Sequence, residues 1–271
     1  MISKQQLFYA NNGYLFPIPV LEREEVDRLR TLLERYTQKH AQQVASLLPR
    51  ERRSVFALTH LSLPWVAELV ANPRVLDAVA QVIGPDILVW ESNWFIKFPR
   101  DRSYISWHQD AAYWGLSPPQ VTTAWIALTP SIEANGCVRV LPGSHTVSYE
   151  QRDTYAEDNA LSRGQEIAVE VDETRAVGME LQPGEMSLHH IGVAHSSRAN
   201  TSAGPRIGLA VRYIAPHVVQ NAATRQLALL VRGTDAHGHF ELVSPPRDEA
   251  SGERVRQEAE QRLLASVMPT G

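Results

Sequence analysis

The sequence predicts a mainly β protein with flanking α-helices, and three observations carry that reading. The first third has helical periodicity. The chain after Gly84 breaks into short β-rich runs. Turn residues, and few helices, separate those runs. No β-α-β alternation is visible, which argues against a doubly wound parallel sheet. Many short strands with few helices between them describe a sandwich or barrel, and eight or so would make a double-sheet jelly roll.

The elements follow in order. Ser3 can cap a short helix that stops at Asn11-Asn12-Gly13. The stretch PVLEREEVDRLRTLLERY sets Leu21, Val26, Leu29, Leu32, Leu33 and Tyr36 near one face, with charges elsewhere. Its acids come early and its bases late, as the helix dipole prefers. NPRVLDAVAQVIGP reads as another helix, opened by Asn72-Pro73 and closed by Gly84-Pro85. The strand runs are ILVWESNWFIKF, SYISWH, VTTAWIALT, CVRVLPG and RIGLAVRYI, and the turns are SIEANG, LPGSH and LQPGE. Residues 146–165 are polar and aperiodic, and a loop that long is often a lid or a binding loop. The tail RDEASGERVRQEAEQRLLASV is expected to be a short exposed helix. The expected organisation is one domain over 1–271, with N-terminal helices 1–84, a jelly-roll core at about 85–216 and a C-terminal extension 217–271.

The 271 residues are 44% hydrophobic and 21% charged, enough for a sizeable core. Net charge is −4 and no long basic block occurs, which argues against nucleic acid or an anionic membrane as partner. Cys137 is the only cysteine, so no internal disulfide forms and a reducing compartment fits. No signal-peptide core and no apolar run of membrane-spanning length are present. The expectation is a cytoplasmic monomer or homodimer acting on a small-molecule substrate.

The stretch WHQDAAYW holds His108 and Asp110 two residues apart. In a strand such residues share a face, so an imidazole and a carboxylate could bind one metal ion. Alone the pair reads equally as a hydrogen-bonded histidine near an acid. Two histidines and one carboxylate make the facial triad of non-haem Fe(II) oxygenases. His189, His190 and His195 are available as the third ligand. In the last strand run, Arg206, Gly208, Ala210 and Arg212 share one face and Ile207, Leu209, Val211 and Tyr213 the other. The arginine face suits either solvent or a barrel interior with a cationic pocket. A buried arginine needs an anion, and its planar fork suits a carboxylate.

Three pieces, WHQD, NGCVRVLPGSH (135–145) and HSSRANTSAGPR (195–206), together resemble the phytanoyl-CoA dioxygenase family. The resemblance runs from about Gly13 to Pro216. It implies a double-stranded β-helix, the cupin-like jelly roll, and an enzyme using Fe(II), 2-oxoglutarate and O2. It implies His108, Asp110 and His195 as ligands, because His195 lies eleven residues before Arg206 in the family's context. Arg206 would take the far carboxylate of 2-oxoglutarate, Ser197 would add a hydrogen bond, and Asn93 and Trp114 would touch the co-substrate. His189 and His190 become packing residues or supports of the ligands, and His145 structural. Related halogenases have a small residue where this chain has Asp110, so the resemblance favours hydroxylation over chlorination. Desaturation, epimerisation and cyclisation use the same triad. A zinc hydrolase or a non-catalytic ligand-binding jelly roll is the rival, with no need of Arg206.

The expected substrate is a small polar or anionic metabolite, such as an amino acid, an aminophosphonate or a natural-product intermediate. Arg163 and Gln165 are candidate contacts from the polar loop. Arg212 and Arg139 are candidate positive charges, though each equally reads as a surface salt bridge. Trp90, Trp94, Trp107, Trp114 and Trp125 cluster around the expected site.

Overall fold

The computed structural model describes residues 2–267. Helix α1 (Lys4–Asn12) is capped by Ser3 and ends on Gly13, whose φ of 80° is the left-handed conformation glycine adopts freely. Strand β1 (Tyr14–Pro19) follows, then α2 (Arg23–Lys39), α3 (Ala41–Ser46), α4 (Arg53–Phe56), α5 (Pro64–Val70) and α6 (Pro73–Ile83). The strands β2 (Ile87–Lys97) and β3 (Ile105–His108) lead into the short α7 (Ala111–Trp114). Next come β4 (Leu116–Ser117), β5 (Val121–Ala127), β6 (Val138–Val140), β7 (Gln151–Asp153), β8 (Gln165–Ile167) and β9 (Val177–Met179). The chain continues through β10 (Glu185–His190), β11 (His195–Ser197), β12 (Arg206–Ile214), β13 (Val219–Gln220), β14 (Leu227–Arg232) and β15 (Glu241–Val243). It closes with α8 (Glu249–Val267).

The strands form a jelly roll. Its major sheet has seven strands in the order β1-β10-β5-β12-β2-β14-β15, and its minor sheet has the order β3-β11-β6-β9. Alternation along β12 divides its residues as the sequence predicts. Leu209, Val211 and Tyr213 join Ala124, Ile126, Met186 and Leu188 in a core beneath the helices, together with Val26, Leu29 and Leu33 of α2. Fully burying a side chain of this size contributes about 1.5–3 kcal/mol. The opposite face, with Ala210, packs with Trp125, Val138 and Val140 between the two sheets.

A bulge in β2 fixes what enters that interior. Tyr213 pairs with Val89 and Arg212 with Glu91, so Trp90 is the extra residue. An extra residue reverses the alternation beyond it. Val89 therefore packs under the helices, whereas Glu91 and Asn93 line the cavity between the sheets.

Three expectations need correction. The N-terminal segment is not only helical, because β1 forms an edge of the major sheet against β10. The sheet also extends past residue 216, since β14 pairs with β2 and β15 with β14. The tail helix is neither short nor merely exposed. Ala259 of α8 is buried against Ala57, Leu58, Leu61 and Leu227, and Arg256 donates to the Ser54 carbonyl at 3.1 Å.

Candidate metal and co-substrate site

The minor sheet brings the two distant histidines together. Strands β3 and β11 run antiparallel with His195 directly opposite His108, and the ring centroids are 4.1 Å apart. Asp110 arrives differently from the expectation. Strand β3 ends at His108, and Asp110 has helical backbone angles at the start of α7. A strand-to-helix turn, not a shared strand face, aims its carboxylate at the histidines. Its oxygens lie 3.4 Å from His108 Nε2 and 3.9 Å from His195 Nε2.

Gln109, which sequence reasoning passed over, locks that turn. Its buried amide donates to the Gly192 carbonyl at 2.6 Å and the Val147 carbonyl at 2.7 Å, and its oxygen accepts from the Tyr149 amide. Its backbone exchanges hydrogen bonds with the Gln151 side chain, tying the site to the β7–β8 hairpin.

The protonation pattern suits metal ligands. His108 Nδ1 lies 3.0 Å from the Ser106 carbonyl, and His195 Nδ1 lies 3.0 Å from the Val193 carbonyl. A carbonyl only accepts, so each Nδ1 carries the proton and each Nε2 presents a lone pair toward Asp110. Burial, with the His108 charge, lowers His195 to about 4, which keeps it neutral. Burial alone would raise Asp110, but its neighbours His195, His108 and Arg212 outweigh that and hold it well below the usual carboxylate range. Among the described residues, these three are the one group whose donor atoms converge within 4.8 Å. Two imidazoles and a carboxylate are a donor set for Fe(II).

Of the remaining histidines, His189 lines the same cavity, 4.6 Å from the His195 ring. His190 and His145 pack on each other at 5.2 Å, and His145 Nε2 meets the Ala10 carbonyl. That is a structural role.

Arg206 is 1% exposed and forms no ion pair among the described residues. Its guanidinium donates to the Gly136 carbonyl and to Ser197 Oγ (3.0 Å) and stacks 5.1 Å from the Trp125 ring. Gly208 permits the stacking, because a Cβ there would lie 2.1 Å from the indole. Gly136, at φ +77°, lets its turn approach the Arg198 carbonyl, which a Cβ would strike at 2.0 Å. Ser197 is better placed to hold Arg206 than to reach a ligand. Its hydroxyl donates to Gly136 at 2.7 Å and accepts from Arg206 and from Lys97 Nζ at 2.6 Å. One proton and two lone pairs are thereby used. Lys97 was not foreseen, although it lies four residues after Asn93 on the same face of β2.

Asn93 lines the cavity opposite Ala210, with its buried Oδ1 unpartnered. Trp114 lines it too, 5.3 Å from the Arg212 guanidinium. Arg212 is buried, faces the cavity and also overlies Phe95 at 5.8 Å, with no ion pair among the described residues. Arg139 instead points away. It is bound by Glu173 at 2.8 Å, whose carboxyl is held down to about 2 by hydrogen bonds from Arg139, Arg198 and Trp107. Arg163 pairs with Asp153 at 3.3 Å outside the cavity, whereas Gln165 lines it. Ala160, Leu161 and Ser162 of the polar segment form part of its wall.

The sequence profile of the phytanoyl-CoA dioxygenase (PhyH) family matches residues 9–208. The ectoine dioxygenase of Bordetella parapertussis is 26% identical over 224 residues, 76% of this chain and 72% of that protein. The peroxisomal phytanoyl-CoA dioxygenase of Homo sapiens is 22% identical over 227 residues, 78% of this chain and 67% of that one. Among solved structures, the apo non-heme monooxygenase ThoJ superposes with a TM-score of 0.84 at 33% identity, covering 97% of each chain. CytC3 with Fe(II) and alpha-ketoglutarate shares the fold, with a TM-score of 0.66 at 24% identity over 91% of this chain and 97% of that one. No helix among the described residues is long and apolar enough to cross a membrane. Profile, fold and donor set agree, and the chain belongs to the phytanoyl-CoA dioxygenase family of Fe(II)- and 2-oxoglutarate-dependent oxygenases.

Proposed function

We propose that this protein hydroxylates an unactivated C–H bond of a polar or anionic small molecule. His108, Asp110 and His195 hold Fe(II), and Arg206 receives the far carboxylate of 2-oxoglutarate. The observation that carries the reading is one cavity onto which both the buried triad and the uncompensated Arg206 guanidinium open. Fe(II) with 2-oxoglutarate and O2 supplies the oxidising power that the protein's own side chains lack.

The chain's residues do the rest. The Ser106 and Val193 carbonyls fix the imidazole tautomers and ring directions. Gln109 holds the turn that aims Asp110. Ser197, Lys97 and Trp125 orient Arg206 for a planar carboxylate. Asn93 and Trp114 flank the co-substrate. Arg212, stacked on two aromatic rings beside Asp110, is the cation for an anionic group of the substrate. Asp110 supplies the carboxylate that favours hydroxylation over chlorination.

The test is succinate formation from 2-oxoglutarate by anaerobically Fe(II)-loaded protein after O2 is admitted. A panel of amino acids, phosphonates and other small acids serves as candidate substrates. Succinate should require iron, oxygen and His195. No absorbance change on adding 2-oxoglutarate to the Fe(II) protein, together with no succinate, would refute the reading.

A further inference from the structure

The cavity beside the triad is small and does not end at the arginines. It holds about 110 Å³, and a second groove of about 550 Å³ lies outside it. The two adjoin, because Arg53, Glu91, Tyr113, Trp114, Ser162 and Gln165 line both. Small-molecule sites commonly run to about 300–1,000 Å³, more than the inner cavity offers, and 2-oxoglutarate must share it.

The outer groove is predominantly apolar. Trp90 and Trp114 meet edge-to-face at 5.5 Å in its wall, and α8 contributes Leu263 and Leu264. Leu264 is 58% exposed at the rim of this groove.

We propose that the substrate is an elongated amphipathic molecule spanning both chambers. Its reacting carbon enters the inner cavity. An apolar body lies outside, against Trp90, Trp114 and α8. The assignment of the reacting end rests on the proposed function, whereas occupancy of the groove does not.

The probes are N-acylglycines with acyl chains of two, six and ten carbons, titrated calorimetrically into protein loaded with Ni(II) and 2-oxoglutarate. Affinity should rise by about a hundredfold or more from the shortest to the longest, since each buried methylene adds to binding. Leu47→Arg and Leu264→Arg each place a charge on the apolar wall of the outer groove. Neither residue lines the inner cavity that holds the metal and co-substrate site. Each variant should reduce the length dependence to a few-fold while 2-oxoglutarate affinity stays unchanged. Affinity independent of chain length, or a length dependence equal in wild type and both variants, would overturn the proposal. Persistent length dependence in a protein that makes no succinate would retain the groove and refute the oxygenase reading instead.

Discussion

Lys97 and Arg206 stand directly opposite each other on β2 and β12 and share one acceptor, Ser197 Oγ. Both are buried. Burial, and then the Arg206 charge, push Lys97 well below its ordinary value, and burial lowers Arg206 to about 10. Two adjacent cations held by neutral oxygens are costly until an anion joins them. Lys97→Met should therefore weaken 2-oxoglutarate binding by roughly ten- to a hundredfold, the value of a hydrogen bond to a charged group. Titrating the Fe(II) protein with 2-oxoglutarate reads this directly. Unchanged affinity would reduce Lys97 to a packing residue.

Gly208→Ala tests the support on the other side of Arg206. The new methyl would collide with Trp125, whose ring lies beside the guanidinium. Overpacking of this kind typically costs about 1–3 kcal/mol. Denaturant unfolding should show that loss, and 2-oxoglutarate affinity should fall with it. A variant as stable as wild type, with unaltered co-substrate binding, would show that the indole can move without disturbing Arg206.

Metal binding should stabilise the fold. A ligand at a hundred times its dissociation constant adds about 2.7 kcal/mol, which for a chain of this size raises Tm by roughly 5–10 °C. Ni(II), or Fe(II) without oxygen, should give that rise, and a chelator should reverse it. His195→Ala and Asp110→Gly should abolish most of it, and Asp110→Gly should also abolish hydroxylation. A full thermal shift in both variants would place the metal elsewhere.

His60 makes stability depend on pH. It is fully buried, with Nδ1 2.8 Å from Ser92 Oγ, and burial lowers it to about 3. The unfolded chain takes up this proton near pH 6.5, but the folded chain does so only near pH 3. The unfolded state thus binds more protons across that window. Stability from His60 is complete above about pH 6.5 and declines as pH falls, by up to about 1.4 kcal/mol per unit. Urea unfolding of metal-free protein at pH 7 and pH 5 should show a smaller drop for His60→Gln than for wild type. Equal drops would place the sensitivity in other groups.

Much of this protein is legible in the chain itself. The early helices declare themselves through apolar spacing and through Ser3, Asn72-Pro73 and Gly84. The strands of 87–214 show β-rich runs between turn residues. His108, Asp110, His195 and Arg206 are legible because the motifs that hold them resemble those of a known family; the residues alone left His189, His190 and His195 open as the third ligand.

What stayed hidden depends on partners far away in sequence. Nothing in Tyr14–Pro19 or Leu227–Arg232 states that β10 and β2 will receive them. Only pairing with β12 reveals Trp90 as the bulge that sets Val89 and Glu91 on opposite faces. Gln109 looks like any polar residue until Gly192 and Val147 close around it. Arg139 and Arg212 look alike in the sequence, yet Glu173 neutralises one while the other faces the cavity. The available chemical groups and the local conformations they favour can be read along the chain, since both are properties of neighbouring residues. Which groups meet, and which are left without a partner, emerges only on folding, because burial and strand register arise between segments tens of residues apart.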